Sequence, residues 1–289
     1  MTDLNTLEYE LTQQLIQMAL SEDQVTEDVT THALLEFDRR VTASVTAKED
    51  GILSGTGVFT DVFHHIDPGV QIRVLTPDGS VVNKGDTVLE IEGMESSILK
   101  AERTALNFLQ RLSGIATLTR KFVDLLTPYG ITLLDTRKTT PGMRYLEKKA
   151  VRDGGGTNHR MNLEDMAMVK DNHIAMAGSI AAAVRKIRER FPGKKIEVEV
   201  RNLRELDEAL SLDVAMIMLD NFDPGLLNEA VQRRRPGQSV KFEVSGNVNL
   251  GNIEQRAAEC AGIDFISVGA LTHSFKSLDL SLNILNITR

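Results

Sequence analysis

The chain has one cysteine and no tryptophan, and aromatic residues make up only 4% of it. A single thiol, Cys260, closes no internal disulfide, so the fold has to rest on burial. Cys260 is expected to be a small buried residue in a reducing compartment rather than a catalytic thiol. One Cys and six scattered His exclude a Cys-based structural zinc site. No charge-free apolar run approaches the roughly 18 residues of a membrane span. The start, Met1-Thr2-Asp3-Leu4, lacks a basic stretch followed by an apolar one, so no secretory signal is expected. A basic surplus is missing too. Lys and Arg number 33 against 41 Asp and Glu, a net charge of -8, which argues against a general nucleic-acid binder. Neither a G-x-G-x-x-G turn after a strand nor a Walker A motif occurs. The expectation is a cytoplasmic protein with no membrane or nucleic-acid partner.

What is present is ordinary globular composition: 42% hydrophobic and 26% charged residues over 289 positions. That length supports one large or two modest domains. Leu7, Leu11, Leu15 and Met18 repeat at helical spacing. From Val41 to Glu92, short alternating runs are broken by Asp50-Gly51, Pro68-Gly69 and Asp78-Gly79, which reads as strands and tight turns. Val81 to Ile91 looks like the turn-strand unit of lipoyl-type carriers, but the following turn, Glu92 to Ser96, has no Lys to bear a cofactor. A sandwich module without a prosthetic group is expected. Helical periodicity returns from Ser97 to Leu126, with Gly114 placed to kink or split that helix.

The second half alternates. Apolar runs at Ile131–Asp135, Asp165–Val169, Ile196–Val200, Val214–Leu219, Val240–Val244 and Ile263–Val268 are separated by helical stretches such as Ser179–Arg190 and Asn202–Leu210. This is the pattern of parallel βα units, with strands apolar on both faces. Six or seven such units make an incomplete β/α barrel the expected fold, and an open doubly wound sheet the alternative.

Chemistry in such barrels gathers where the strands end. Here the ends carry, in order, Thr136-Arg137-Lys138, Lys170-Asp171, Glu199, Asp220-Asn221, Ser245-Gly246-Asn247 and Ser267-Val268-Gly269. Between Thr136 and Lys170, eight Lys and Arg face four Asp and Glu, and the run Gly154-Gly155-Gly156 lies among them. Backbone N–H groups of Gly-rich loops approach anions, and Arg forks suit carboxylate and phosphate. The implied ligand is small and polyanionic. Glu199 and Asp220 add carboxylates suited to sugar hydroxyls, a phosphate-borne Mg²⁺ or a developing cation.

These blocks resemble the quinolinate phosphoribosyltransferase family. The resemblance runs through Asp135-Thr136-Arg137-Lys138-Thr139-Thr140-Pro141-Gly142, then Gly154 to Arg160, Lys170 to Ile174, Glu197-Val198-Glu199, Met218 to Asn221, Glu243 to Asn247 and Ser267 to His273. Glu27 stands where the family usually has Gly, a local departure outside these blocks. The resemblance implies an N-terminal α/β sandwich domain over residues 1–112, an incomplete barrel over 113–271, and a tail, 272–289, packed back on the first domain. It implies a head-to-tail homodimer in which Arg103 reaches the neighbour's site. It implies transfer from phosphoribosyl pyrophosphate to quinolinate with decarboxylation, a step of NAD biosynthesis, aided by Mg²⁺ and no prosthetic group. Lys138, Lys170, Glu199 and Asp220 are the implied catalytic set. Arg137, His159 and Arg160 with Lys138 would hold the quinolinate carboxylates, Lys138 and Lys170 would contact diphosphate or carboxylate, Thr136 would be among the substrate-binding residues, and Glu199 and Asp220 would face the ribose and its Mg²⁺. Ser245, Gly246, Asn247, Ser267, Val268 and Gly269 would cradle the 5-phosphate. A molybdenum-transport-associated paralogue shares much of the pattern, and a Schiff-base aldolase using Lys138 or Lys170 and a carrier module are further alternatives.

Overall fold

The computed structural model describes residues 4–35, 37–259 and 261–287, so the expectation for Cys260 lies outside the described residues. The chain divides into two compact units. The first takes residues up to Arg120, Thr139–Gly155 and everything from Leu271 on; the second takes Lys121–Lys138 and Gly156–Ala270. The division differs from the sequence-based boundary near residue 112, which falls inside an unbroken helix, Glu95–Leu126.

In the first unit, four antiparallel strands pair in the order Leu280–Ile287, Arg40–Ala47, Thr87–Met94, Gln71–Val74. Alternation aims Val41, Ala43, Val45 and Ala47 inward, and all are at most 2% exposed. Helix Thr56–Ile66 buries Val58, Phe59, Val62 and Phe63. A polar cluster ties the unit together: Lys149 Nζ lies 2.7 Å from Asp78 and 2.8 Å from Asp153, which also accepts from Ser54 Oγ. Burial works against these charges, yet the pairing with Lys149 outweighs it and holds Asp78 below the usual carboxylate range.

Gly114 does not split its helix. A Cβ there would sit 2.3 Å from the Lys276 carbonyl oxygen and 2.8 Å from Ser277 Cα, so the residue is glycine because another backbone runs against it. Leu278 N–H donates to the Gln110 carbonyl, and Gln110 Nε2 donates to that of Leu280, fastening the same segment.

The second unit holds six parallel strands: β1 (Thr132–Leu134), β2 (Ala167–Val169), β3 (Ile196–Val200), β4 (Met216–Asp220), β5 (Lys241–Ser245) and β6 (Phe265–Ser267). Their order across the sheet is β1-β6-β5-β4-β3-β2. Each strand from β2 to β6 neighbours its successor, and β6 returns beside β1. A doubly wound sheet reverses its order midway, whereas this cyclic order is that of a barrel. Among the described residues β1 and β2 do not pair, so the barrel is open at one seam. Thr157 fills it, bridging to Leu134 in parallel fashion.

Helices follow the strands where the sequence caps them. Ser179 accepts from Ala182 N–H, Asn202 from Glu205 N–H and Asp223 from Leu226 N–H, with Pro224 at the first turn. The strands are not apolar on both faces. Val198, Val200, Ile217, Leu219, Phe242 and Val244 are fully buried on one face. The alternate positions on β3 and β5 hold Glu197, Glu199 and Glu243, also buried. Among the described residues no helix is long and apolar enough to cross a membrane.

Gly114→Ala should lower stability by about 1–3 kcal/mol, the usual cost of overpacking, seen as a reduced urea midpoint. An unchanged midpoint would show that the 276–277 backbone gives way freely.

Candidate active site

The strand ends of the second unit surround a cavity of about 320 Å³. Thr136, Arg137 and Lys138 enter it after β1, and Lys170 after β2. Glu199, Asp220, Ser245 and Ser267 come from β3, β4, β5 and β6, and His159 and Arg160 from the segment that fills the seam. Asp135, Met168, Met218 and Glu243 also line it, though sequence reasoning gave them no role.

The remaining expected residues lie elsewhere. Gly246, Asn247, Val268 and Gly269 are not in the cavity wall. Val268 is 1% exposed and its N–H donates to the Leu134 carbonyl. Gly246 has φ +103°, and a Cβ there would meet Asn221 Oδ1 at 2.1 Å. Asn221 and Asn247 also take positive φ, 55° and 50°, so the turns after β4 and β5 are left-handed and tightly apposed. Arg103 is an exposed residue of the first unit, beside a different cavity that it shares with Asn107 and Arg111. The cationic run between residues 136 and 170 divides as well. Arg137, Lys138, Arg160 and Lys170 line the second unit's cavity, while Lys148 and Lys149 are part of the first unit.

The cavity's donors await an acceptor. Arg137 Nε and Ser267 Oγ are buried with no hydrogen-bond partner among the described residues, an arrangement that costs free energy unless a ligand supplies oxygens. Burial, and then the neighbouring Arg137, lowers the pKa of Arg160, the mark of two guanidiniums held close together. Lys170 Nζ is 2.7 Å from Glu199 Oε2, so an ammonium and a carboxylate face the same space. Such a site binds a polyanion at one end and can stabilise a developing cation at the other.

Beneath it lies a cluster that the sequence does not announce. His159 Nε2 is 2.9 Å from Glu197 Oε2 and 3.2 Å from Glu243 Oε2, and both carboxylates are fully buried. Burial pushes Glu197 up to about 7; His159 draws it down and Glu243 adds to the rise. For His159, burial favours the neutral ring, while the facing carboxylates of Glu197 and Glu243 favour a hydrogen on Nε2. The Arg160 N–H donates to Nδ1 at 2.8 Å, so that nitrogen keeps its lone pair and the ring's single hydrogen lies on Nε2, facing the carboxylates. The alternation Glu197-Val198-Glu199 was the available signal, since one glutamate facing inward requires its i+2 partner to do the same.

These ligand atoms lie within 4.8 Å of one another, the size of a metal site. The tautomer argues otherwise. A metal-bound His donates its other ring N–H, whereas here the other nitrogen accepts one. Nε2 therefore carries hydrogen and has no lone pair for a metal.

The shift of Glu197 is upward, so the folded chain holds its proton more tightly than the unfolded chain does. The stability this lends is complete below the unfolded value and lost as pH rises through about 7. Thermal melts should show Tm falling as pH rises from about 5 to 8, and Glu197→Gln should flatten that fall. Equal slopes in the two proteins would mean that Glu197 does not titrate there.

Comparison with known proteins supplies the family. The family description "Quinolinate phosphoribosyl transferase, N-terminal domain" matches residues 28–113, and its C-terminal-domain counterpart matches 115–283. The chain is 42% identical over 288 residues to the chloroplastic nicotinate-nucleotide pyrophosphorylase [carboxylating] of Arabidopsis thaliana, covering 93% of this chain and 82% of that protein. The solved nicotinate-nucleotide pyrophosphorylase of Francisella tularensis superposes with TM-score 0.90 at 43% identity, covering 96% of each chain. NadC from Streptococcus pyogenes gives 0.89 at 42% identity, covering 99% of this chain and all of that one. The chain belongs to the quinolinate phosphoribosyltransferase family.

Proposed function

We propose that the cavity at the strand ends of the second unit is where this chain, as a member of its family, transfers a phosphoribosyl group from phosphoribosyl pyrophosphate to quinolinate. The products are nicotinate mononucleotide, CO₂ and pyrophosphate, a step of NAD biosynthesis. The observation that carries the placement is the convergence of four cations, with a partnerless buried Arg137 Nε, on the space faced by Glu199 and Asp220. Quinolinate brings two carboxylates and the donor substrate a monophosphate and a diphosphate, which match those cations in number and kind.

Arg137, Arg160 and Lys138 hold the carboxylates. The pyridine nitrogen attacks C1 of the ribose as the C1–O bond to pyrophosphate breaks, and the bonding pair leaves with the diphosphate. Positive charge grows on the ribose ring, where the carboxylates of Glu199 and Asp220 stabilise it. Lys170 neutralises the diphosphate while its bond to Glu199 keeps that carboxylate in place. The new bond makes the ring nitrogen cationic. That cation stabilises the electron pair left on C2 when the C2–carboxylate bond breaks and CO₂ departs, and the pair then takes up a proton.

Glu199 and Asp220 present hard oxygen donors from neighbouring strands, the set that fits Mg²⁺ when substrate phosphates complete its shell. When bound, Mg²⁺ supplies charge neutralisation to the diphosphate. Ser267 Oγ, buried and without a partner, suits a 5-phosphate oxygen. The active form is a cytoplasmic head-to-tail homodimer, a reading supported by the exposure of Arg103, which leaves its guanidinium accessible to a neighbouring copy.

The primary test is pyrophosphate and CO₂ release with quinolinate against nicotinate. Comparable kcat/KM for the two would overturn the assignment, since nicotinate lacks the carboxylate that the extra cations serve. Arg137→Ala should weaken quinolinate by about ten- to hundred-fold, the worth of a charge-assisted hydrogen bond, and leave phosphoribosyl pyrophosphate far less affected. Unchanged quinolinate binding by calorimetry would place Arg137 outside the pocket.

The dimer has its own test. Co-refolded equal amounts of Arg103→Ala and Glu199→Ala subunits should recover about a quarter of wild-type activity, since half the dimers are mixed and each has one intact site of two. No recovery, with mixed dimers confirmed by native mass spectrometry, would assign Arg103 to its own subunit or to neither site.

A further inference from the structure

The seam between β1 and β2 is filled by the segment that delivers Arg160 to the cavity, and that segment is pinned on two sides. On the β1 side, Asp135 Oδ1 accepts the His159 N–H at 2.8 Å and Oδ2 accepts from Asn158 Nδ2 at 2.6 Å. On the interior side, the His159 ring reaches across to Glu197 on β3 and Glu243 on β5. The ring then holds its neighbour, because its Nδ1 accepts the Arg160 N–H. That bond exists only while Nδ1 keeps its lone pair, and the ring keeps it only while the hydrogen stays on Nε2, facing the two carboxylates. The Arg160 guanidinium is fixed at its far end by the Met166 carbonyl, 3.0 Å away.

We infer that Glu197 and Glu243 are positioning residues for the quinolinate carboxylates: by holding His159 in its Nε2–H tautomer they lock the backbone of Arg160, and with it the guanidinium that meets the substrate. All four carboxylate oxygens are buried, the His159 ring lies within 3.2 Å of both groups, and each glutamate also faces the other. A chain with carboxylates here solely to fill space would be no worse with apolar residues, since replacing buried charge by packed hydrophobic groups is often neutral or stabilising. Glu243 also faces the cavity floor, where a bare carboxylate would repel a dianionic ligand; the Nε2–H turned toward it offsets that repulsion. The inference rests on the quinolinate reading of the cavity.

The test compares Glu197→Leu, Glu243→Leu and the matching Gln variants in the full-length enzyme. Each Leu variant should raise KM for quinolinate by about ten-fold or more and leave KM for phosphoribosyl pyrophosphate within about two-fold, while each Gln variant, which keeps an oxygen to accept Nε2–H, should recover most of the loss. The ring is read independently by ¹⁵N-histidine NMR, with His159 assigned by its absence in His159→Gln. The wild type and Gln variants should show hydrogen on Nε2, and the Leu variants should lose that preference. Kinetic constants equal across Leu, Gln and wild type, or KM rising equally for both substrates, would overturn the inference. So would a wild-type ring protonated on Nδ1, or Zn²⁺ that binds and abolishes the Nε2–H signal. Should the Leu variants fail to fold, the wild-type tautomer and the Gln variants decide. A wild-type enzyme that releases no pyrophosphate with quinolinate would sink the proposed reaction instead, and the NMR result would still stand or fall alone.

Discussion

Like charges brought together repel, and the second unit is built around that fact. Two guanidiniums and two ammoniums share one small cavity, and burial together with the neighbouring Arg137 lowers the basicity of Arg160. Counter-charges arranged in depth make it tenable. Glu199 meets Lys170 at the rim, Asp135 grips the segment carrying His159, and Glu197 and Glu243 lie beneath. Each carboxylate is placed by a strand end or an inward strand position. The barrel therefore fixes counter-charge to the strands themselves before any ligand is bound. Such a site is ready before substrate arrives, which is what electrostatic stabilisation of a transition state requires.

Much of this was legible in the sequence because it rests on local rules. Each of the six apolar runs overlaps an observed strand, since buried parallel strands need β-branched and aliphatic residues whatever their partners. The helices begin where Ser179, Asn202 and Asp223 offer caps. The lining of the cavity was legible for the same reason: Thr136 to Lys138, Lys170, Glu199, Asp220, Ser245 and Ser267 lie at or just after the strand ends and all line it.

What was hidden depends on contacts between distant residues. Gly114 reads as a helix breaker until residues 276–277 are seen against it. Thr139–Gly155 reads as part of the barrel, yet it clusters with the first unit, held by such pairs as Lys149 with Asp78. Glu197 and Glu243 are spaced apart in the chain and meet only because β3 and β5 flank β4 and turn these positions inward. His159 reads as a carboxylate ligand, while both its ring nitrogens face protein groups: the Arg160 N–H on one side, the glutamates on the other. Composition and periodicity report which face a residue occupies, not which partner crosses the barrel to reach it.

The order in which strands pair has a consequence for how the chain is made. Strand β1 finds its neighbour in β6, and the strand Arg40–Ala47 finds one of its two neighbours in Leu280–Ile287. A ribosome delivers residues from the N-terminus, so both early strands emerge long before their partners. Neither unit can close its sheet until these late strands have been made. Once each has emerged, Arg40–Ala47 and Thr132–Leu134 display open, hydrogen-bond-hungry edges, each an invitation to pair wrongly with another nascent chain. A fold so assembled depends on holding those edges apart until residues 265–287 arrive to cover them.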